Sequence, residues 1–205
     1  VIRLLGIDPG TDTLGVAITD VSIDTYEPTL VYADTFVASR EIRGRPWAEE
    51  LRGGRDLRLV SHYERLYELM RLTTPTLVSA ESPFLGRGRV DAFAALVECH
   101  AMLRAVCWDY SPSLYLRRID PITVKNAVGV SHIKTTKDDV RAAILTLYQE
   151  SCAEEVPLLE LDEHAIDATA VNHAVLRKFL LDESFSMKKP KTAKKSRRRK
   201  KRKAS

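Results

Sequence analysis

Scarcity is the first thing this 205-residue sequence shows. Its three cysteines, Cys99, Cys107 and Cys152, form neither an even set nor a CxxC pair. That excludes a disulfide framework and a cysteine-rich zinc site, and reads as reduced thiols inside a cell. Long apolar runs are missing too. Charge interrupts them every few residues, so none approaches the roughly 20 apolar residues that a membrane span needs. No secretory pattern opens the chain, and the expectation is an intracellular, cytoplasmic protein without a membrane partner. Acid is absent from one stretch altogether: between Lys188 and Lys203 stand twelve Lys and Arg and no Asp or Glu.

What is present divides the chain unevenly. At 44% hydrophobic, 205 residues suffice for one well-buried core and are short for two. A single domain over residues 1–182 is expected, followed by a disordered basic tail over 183–205. The run KKPKTAKKSRRRKKRKAS has no apolar residue larger than Ala and cannot bury enough surface to order itself. With twelve of the 32 basic residues there, the body keeps twenty against 28 acids, a net charge of −8. The tail reads as an electrostatic grip on phosphates, with a nuclear address or a solubilising terminus as the alternatives.

Hydrophobic periodicity in the body alternates between two and 3.6. Strands are predicted at Arg3 to Asp8, Gly15 to Thr19 and Thr29 to Phe36, close in sequence and separated by turn residues, hence an antiparallel meander. An amphipathic helix follows over Leu57 to Leu72, then a strand at Thr76 to Ala80, a helix at Asp91 to Asp109 and a strand at Leu114 to Ile119. Helices fill most of Ile122 to Gln149 and Glu163 to Leu181. The Arg-rich stretch Arg40 to Arg58 reads as a surface loop or hairpin. Together these imply an α/β fold, a mixed five-stranded sheet with helices on both faces.

Against that pattern three acids look out of place. The hydrophobic strand Ile2 to Ile7 runs into Asp8 before Pro9 and Gly10 turn the chain, and TLVSA runs into Glu81 before Ser82 and Pro83. Both acids would stand at carboxyl ends of strands, where open α/β sheets hold their ligands. In LDEHAIDATAVNHA, His164 and Asp167 are three apart and share a helix face, with Ala165, Ala168 and Ala170 letting that helix lie close to the sheet. Singly, each has a plainer explanation: a turn former, a loop acid, an exposed helix position, or a histidine beside an Asp162 N-cap. Together they form a cluster too costly to bury as bare charges, one that hard divalent cations such as Mg²⁺ would neutralise.

The opening GIDPGTDTLGVAITD resembles that of RuvC-type Holliday junction resolvases, which have a ribonuclease H-like fold. The likeness continues in order through AESPF, VKNAVGVSHIKTTKDDV and HAIDATAVNHA, and covers Ile2 to about Leu180. It implies that Asp8, Glu81 and Asp167 hold two Mg²⁺ ions, for which Mn²⁺ can substitute, with His164 at the fourth position as a ligand or proton acceptor. Asp162 or Glu163 could supply a carboxylate there instead. It also implies catalytic, phosphate-contacting roles for Lys125 and Lys137, with Lys134 as an alternative, and stacking of Phe84 on a junction base. Arg87 and Arg89, in the loop after Phe84, would contact DNA. A homodimer through the helix Asp91 to Asp109 is implied as well, because a four-way junction needs two symmetric cuts.

The activity so implied is metal-dependent resolution of four-way or other branched DNA by paired nicks that leave 5′-phosphate and 3′-hydroxyl ends. An RNA-processing nuclease of the same fold is the alternative, since fold does not fix substrate. An actin-like or Hsp70-like ATPase would need two related halves. A pure DNA-binding module has no use for an acidic cluster that repels phosphate.

Overall fold

The computed structural model describes residues 1–43, 46–85, 90–130 and 136–180. Arg87, Arg89, Lys134 and the basic tail lie outside the described residues. Five strands form one sheet: β1 (Ile2–Asp8), β2 (Thr13–Val21), β3 (Pro28–Val37), β4 (Leu77–Glu81) and β5 (Leu116–Ile119), in the order β3-β2-β1-β4-β5. The first three make the expected antiparallel meander, and β1, β4 and β5 run parallel. Seven α-helices accompany them among the described residues: α1 (Ala38–Ile42), α2 (Pro46–Arg52), α3 (Gly54–Thr73), α4 (Val90–Tyr110), α5 (Pro121–Ala127), α6 (Lys137–Tyr148) and α7 (Glu163–Val175).

Period-two alternation sorts the strands onto two cores. Leu5 and Ile7 of β1, Leu14, Val16 and Ile18 of β2, and Val78 and Ala80 of β4 pack with Leu66, Met70, Leu103 and Val106 from α3 and α4. The opposite face sends Leu4 and Ala17 against Val124, Ile144 and Val171 from α5, α6 and α7. Alternation therefore also fixes where the polar residues at the strand ends point. Asp8 follows Leu4 and Gly6 in phase, and Glu81 follows Leu77 and Ser79, so both belong to the α7 face.

Glycine brings α7 down onto the sheet. A Cβ on Gly15 would stand 2.1 Å from the His164 carbonyl oxygen, and one on Gly6 would stand 2.3 Å from that of Ala168. Neither approach is possible for a larger residue. Farther along, Asn172 Nδ2 donates to the Ala17 carbonyl (2.9 Å) and the Thr19 hydroxyl (3.1 Å), fastening the helix to β2.

The structure corrects the reading of Arg40 to Arg58. The described residues of this stretch are mostly helical, lying in α1, α2 and the start of α3, and Gly53 at φ 80 separates the last two. Ile42, Ala48 and Leu57 form a small core of their own, and Pro46 occupies a first helical position, where its missing N–H costs nothing. Ile122 to Gln149 likewise resolves into α5, capped by Asp120 on the Thr123 N–H, and α6, opened by a Thr136–Asp139 capping box.

Candidate active site

Asp8 and Glu81 end neighbouring parallel strands, one residue beyond the Ile7–Ala80 register pair. Three contacts hold this end of the sheet from the α4 and α1 sides. His100 Nε2 lies 2.8 Å from the Glu81 carbonyl. Asp12 accepts from the Ser39 N–H (3.0 Å) and the Ser39 hydroxyl (3.2 Å), tying the β1–β2 turn to α1. From the other face α7 contributes His164 and Asp167. Asp162 caps its first turn, accepting from the Ala165 N–H at 3.0 Å and the Thr35 hydroxyl at 2.5 Å.

His164 is held at both ring nitrogens. Nδ1 stands 2.8 Å from Asp8 Oδ2 and Nε2 stands 3.0 Å from Thr13 Oγ1. The hydrogen bond to Asp8 raises the imidazole above its ordinary value, against the effect of burial. Lys137 donates to Glu163 at 2.6 Å, a bond that raises the lysine and lowers the carboxyl. Asp162 and Glu163, the alternative suppliers of a carboxylate, are thus engaged as a helix cap and as the partner of Lys137.

The remaining two acids are strained electrostatically. Burial first, then the charges of Asp8 and Asp167, push Glu81 up to about 7, while Lys125 pulls the other way. Burial and Asp8 push Asp167 up to about 6, opposed by Lys137 and His164. Carboxyl groups raised by burial and by a neighbouring carboxylate occupy a site that disfavours their ionised forms.

Among the described residues no three His, Cys, Asp or Glu side chains converge closely enough to hold a cation as they stand. Bare carboxylates repel, and Asp8 is turned toward His164. The donor set nevertheless fits hard divalent ions: carboxylate oxygens from Asp8, Glu81 and Asp167, with an imidazole beside them. Burial and mutual repulsion are the costs that such ions would offset.

This repulsion has a measurable consequence. Because the folded value of Glu81 lies above the ordinary 4.5, the stability it contributes is full below about pH 4.5 and is lost as pH rises through about 7. In metal-free protein near pH 8, Glu81→Gln should therefore stabilise the fold by on the order of 3 kcal/mol. Near pH 4 it should make little difference, and added Mg²⁺ should narrow the pH 8 gap by stabilising the wild type. Equal melting temperatures at pH 8 without metal would contradict the cost that burial and neighbouring carboxylates impose on ionised Glu81.

Around the acids lie hollows suited to a polymer. One of about 610 Å³ is lined by Glu81, Phe84, Asp120, Pro121, Ile122 and Lys125. Phe84, 70% exposed, also borders the smaller hollow that contains Asp8 and Pro9. It is no core residue. Lys125, Lys137 and Asp167 share a third hollow with Glu81. The structure thus assembles Asp8, Glu81, His164, Asp167, Lys125, Lys137 and Phe84 at one end of the sheet. The sequence singles out neither Thr13 nor His100: Thr13 lies within the opening motif, but its partner His164 is 151 positions away, and His100 meets the Glu81 backbone from the next helix.

No family model and no curated protein matches this chain. Solved structures do. RuvC of T. thermophilus in complex with a Holliday junction substrate superposes with a TM-score of 0.62 at 18% identity, over 84% of this chain and 92% of that one. The yeast mitochondrial Holliday junction resolvase gives 0.59 at 14% identity, over 86% and 79%. Fowlpox virus resolvase in complex with substrate Holliday junction DNA gives 0.53 at 9%, over 87% and 99%. This chain has the ribonuclease H-like fold that those proteins share.

Proposed function

We propose that this protein is a metal-dependent endonuclease that acts inside the cell on branched DNA, resolving four-way junctions by paired symmetric nicks. One observation carries the reading: Asp8, Glu81 and Asp167 stand at one end of a sheet of the fold shared with three junction resolvases, where burial and then neighbouring carboxylates lift Glu81 to about 7 and Asp167 to about 6.

These three acids would hold two Mg²⁺ ions, with the His164 imidazole beside them. Such a pair, when bound, activates a water on one side of a phosphodiester and stabilises the leaving oxygen on the other, yielding 5′-phosphate and 3′-hydroxyl ends. The chain's own groups do the rest. Lys125, beside Glu81, offers a positive charge to the phosphate, and Lys137 can do so once it exchanges Glu163 for the backbone. Phe84, exposed at the mouth, gives an unstacked base a ring to lie on, a contact that contributes roughly 1–3 kcal/mol. His164 Nδ1 holds the Asp8 carboxylate in place.

Two cuts need two sites, and α4 offers the means. Val90, Ala94, Val97, Ala101, Ala105 and Trp108 are all exposed on it, spaced three or four apart as along a helix-packing seam. A homodimer through this face presents two active sites to one junction. Ala101→Glu should convert dimer to monomer in sedimentation analysis and uncouple the two nicks; a dimer unaffected by it would move the interface elsewhere.

The reading is tested by offering the protein a four-way junction, a nicked duplex, a linear duplex and structured RNA in Mg²⁺. Cleavage concentrated at the branch point of the junction is expected. Preferred cutting of RNA would favour the RNA-processing alternative.

A further inference from the structure

Resting on the nuclease reading, we propose that Thr13 is a positioning residue that sets the orientation of the His164 ring, and through it the tautomer that Asp8 selects. Thr13 opens β2 and pairs with Val37 of β3, so its backbone is fixed by the sheet. On this strand Thr13, Gly15, Ala17 and Thr19 share the face under α7. Gly15 receives the His164 backbone, and Ala17 and Thr19 receive Asn172. A β-branched residue at the head of this column fits a strand, and Val would satisfy that requirement equally. The hydroxyl is what calls for a further explanation, and it stands 3.0 Å from His164 Nε2.

The two ring contacts define one arrangement. An ionised carboxylate only accepts, so the nitrogen facing Asp8 Oδ2, Nδ1 at 2.8 Å, carries the hydrogen. In neutral imidazole Nε2 is then the acceptor, and the Thr13 hydroxyl donates to it. In imidazolium the same hydroxyl accepts instead. Thr13 can therefore hold the ring in either charge state, which makes it a device for orientation. Close packing over Gly15 fixes the His164 backbone, leaving ring rotation as the freedom to be removed. The competing partner is Glu163, whose Oε1 lies 3.7 Å from Nε2. Without the hydroxyl the Asp8 contact alone opposes a turn toward it, and the hold of Nδ1 on Asp8 loosens. Partners that orient a site histidine commonly matter by about 10- to 100-fold in affinity or activity.

Thr13→Val and Thr13→Ser test this, with melting temperature checking that both fold. Long-range proton–nitrogen NMR on the metal-free full-length protein reads the ring directly. At alkaline pH, where the imidazole is neutral, wild type and Thr13→Ser should show His164 protonated at Nδ1 with Nε2 bare, whereas Thr13→Val should show averaged tautomers. Turnover of saturating four-way junction in Mg²⁺ should fall about 10- to 100-fold in Thr13→Val, return with Thr13→Ser, and leave junction affinity in Ca²⁺ unchanged. An unaltered His164 tautomer in Thr13→Val overturns the proposal whatever happens to turnover. Altered tautomers in a protein whose wild type cuts no nucleic acid would uphold the positioning role and overturn the nuclease reading instead.

Discussion

Asp8→Asn or Glu81→Gln should lower cleavage of a four-way junction by about 10³-fold or more, with junction affinity kept or increased. The size follows from what divalent ions contribute to phosphodiester cleavage, several kcal/mol of charge stabilisation, at about 1.4 kcal/mol for each factor of ten. Either substitution removes a hard anionic ligand while leaving the shape of the site, since Asn and Gln are close in size to the residues replaced. The retained affinity follows from electrostatics. Without cations the cluster repels phosphate, and deleting one negative charge weakens that repulsion. Quantitative cleavage by either variant would remove both acids from the reaction. A parallel loss of binding would place them in substrate recognition instead.

Truncation before Lys188 should change affinity more than any single substitution. The body carries a net charge of −8, so its long-range field opposes DNA, and the twelve basic residues of the tail supply the attraction. If about half of them neutralise phosphates, the slope of log affinity against log salt should fall by about five, and affinity near 50 mM salt should drop by two to three orders of magnitude. Such contacts read charge and not shape. Junction and linear duplex should therefore weaken together, while the ratio between them stays with the body. Titrations of both DNAs at several salt concentrations check this. An unchanged slope would leave the tail as an address or a solubilising terminus, and a selective loss of junction binding would give it a part in recognising structure.

The candidate site was legible because its acids interrupt strong patterns. Asp8 and Glu81 each close an apolar strand, and period-two alternation carries them to one face of the sheet. His164 and Asp167 share a helical face lined with alanine. The central sheet was legible for the same reason, its strands differing from expectation only at their ends. β2 begins at Thr13 and not Gly15, because pairing with β3 as far as Val37 draws two residues that resemble a turn into the ladder. Arg40 to Arg58 reads as a surface loop or hairpin in the sequence because its buried residues, Ile42, Ala48 and Leu57, are too widely spaced to show a period, and GG suggests a turn. Partnerships between distant segments left no local trace at all. Thr13 meets His164 across 151 positions and Lys137 meets Glu163 across 26, distances over which only the fold brings residues together.

A plasmid that extrudes a cruciform tests the central claim most directly, because it requires metal, branch recognition and two coordinated cuts in a single readout. In Mg²⁺ the protein should convert it to linear molecules, with ligatable 5′-phosphate and 3′-hydroxyl ends at opposed positions near the branch point, and in EDTA it should leave the plasmid intact. Nicked circles alone would contradict paired resolution, and cutting that persists without divalent metal, or falls equally on a plasmid with no cruciform, would contradict the account of the site.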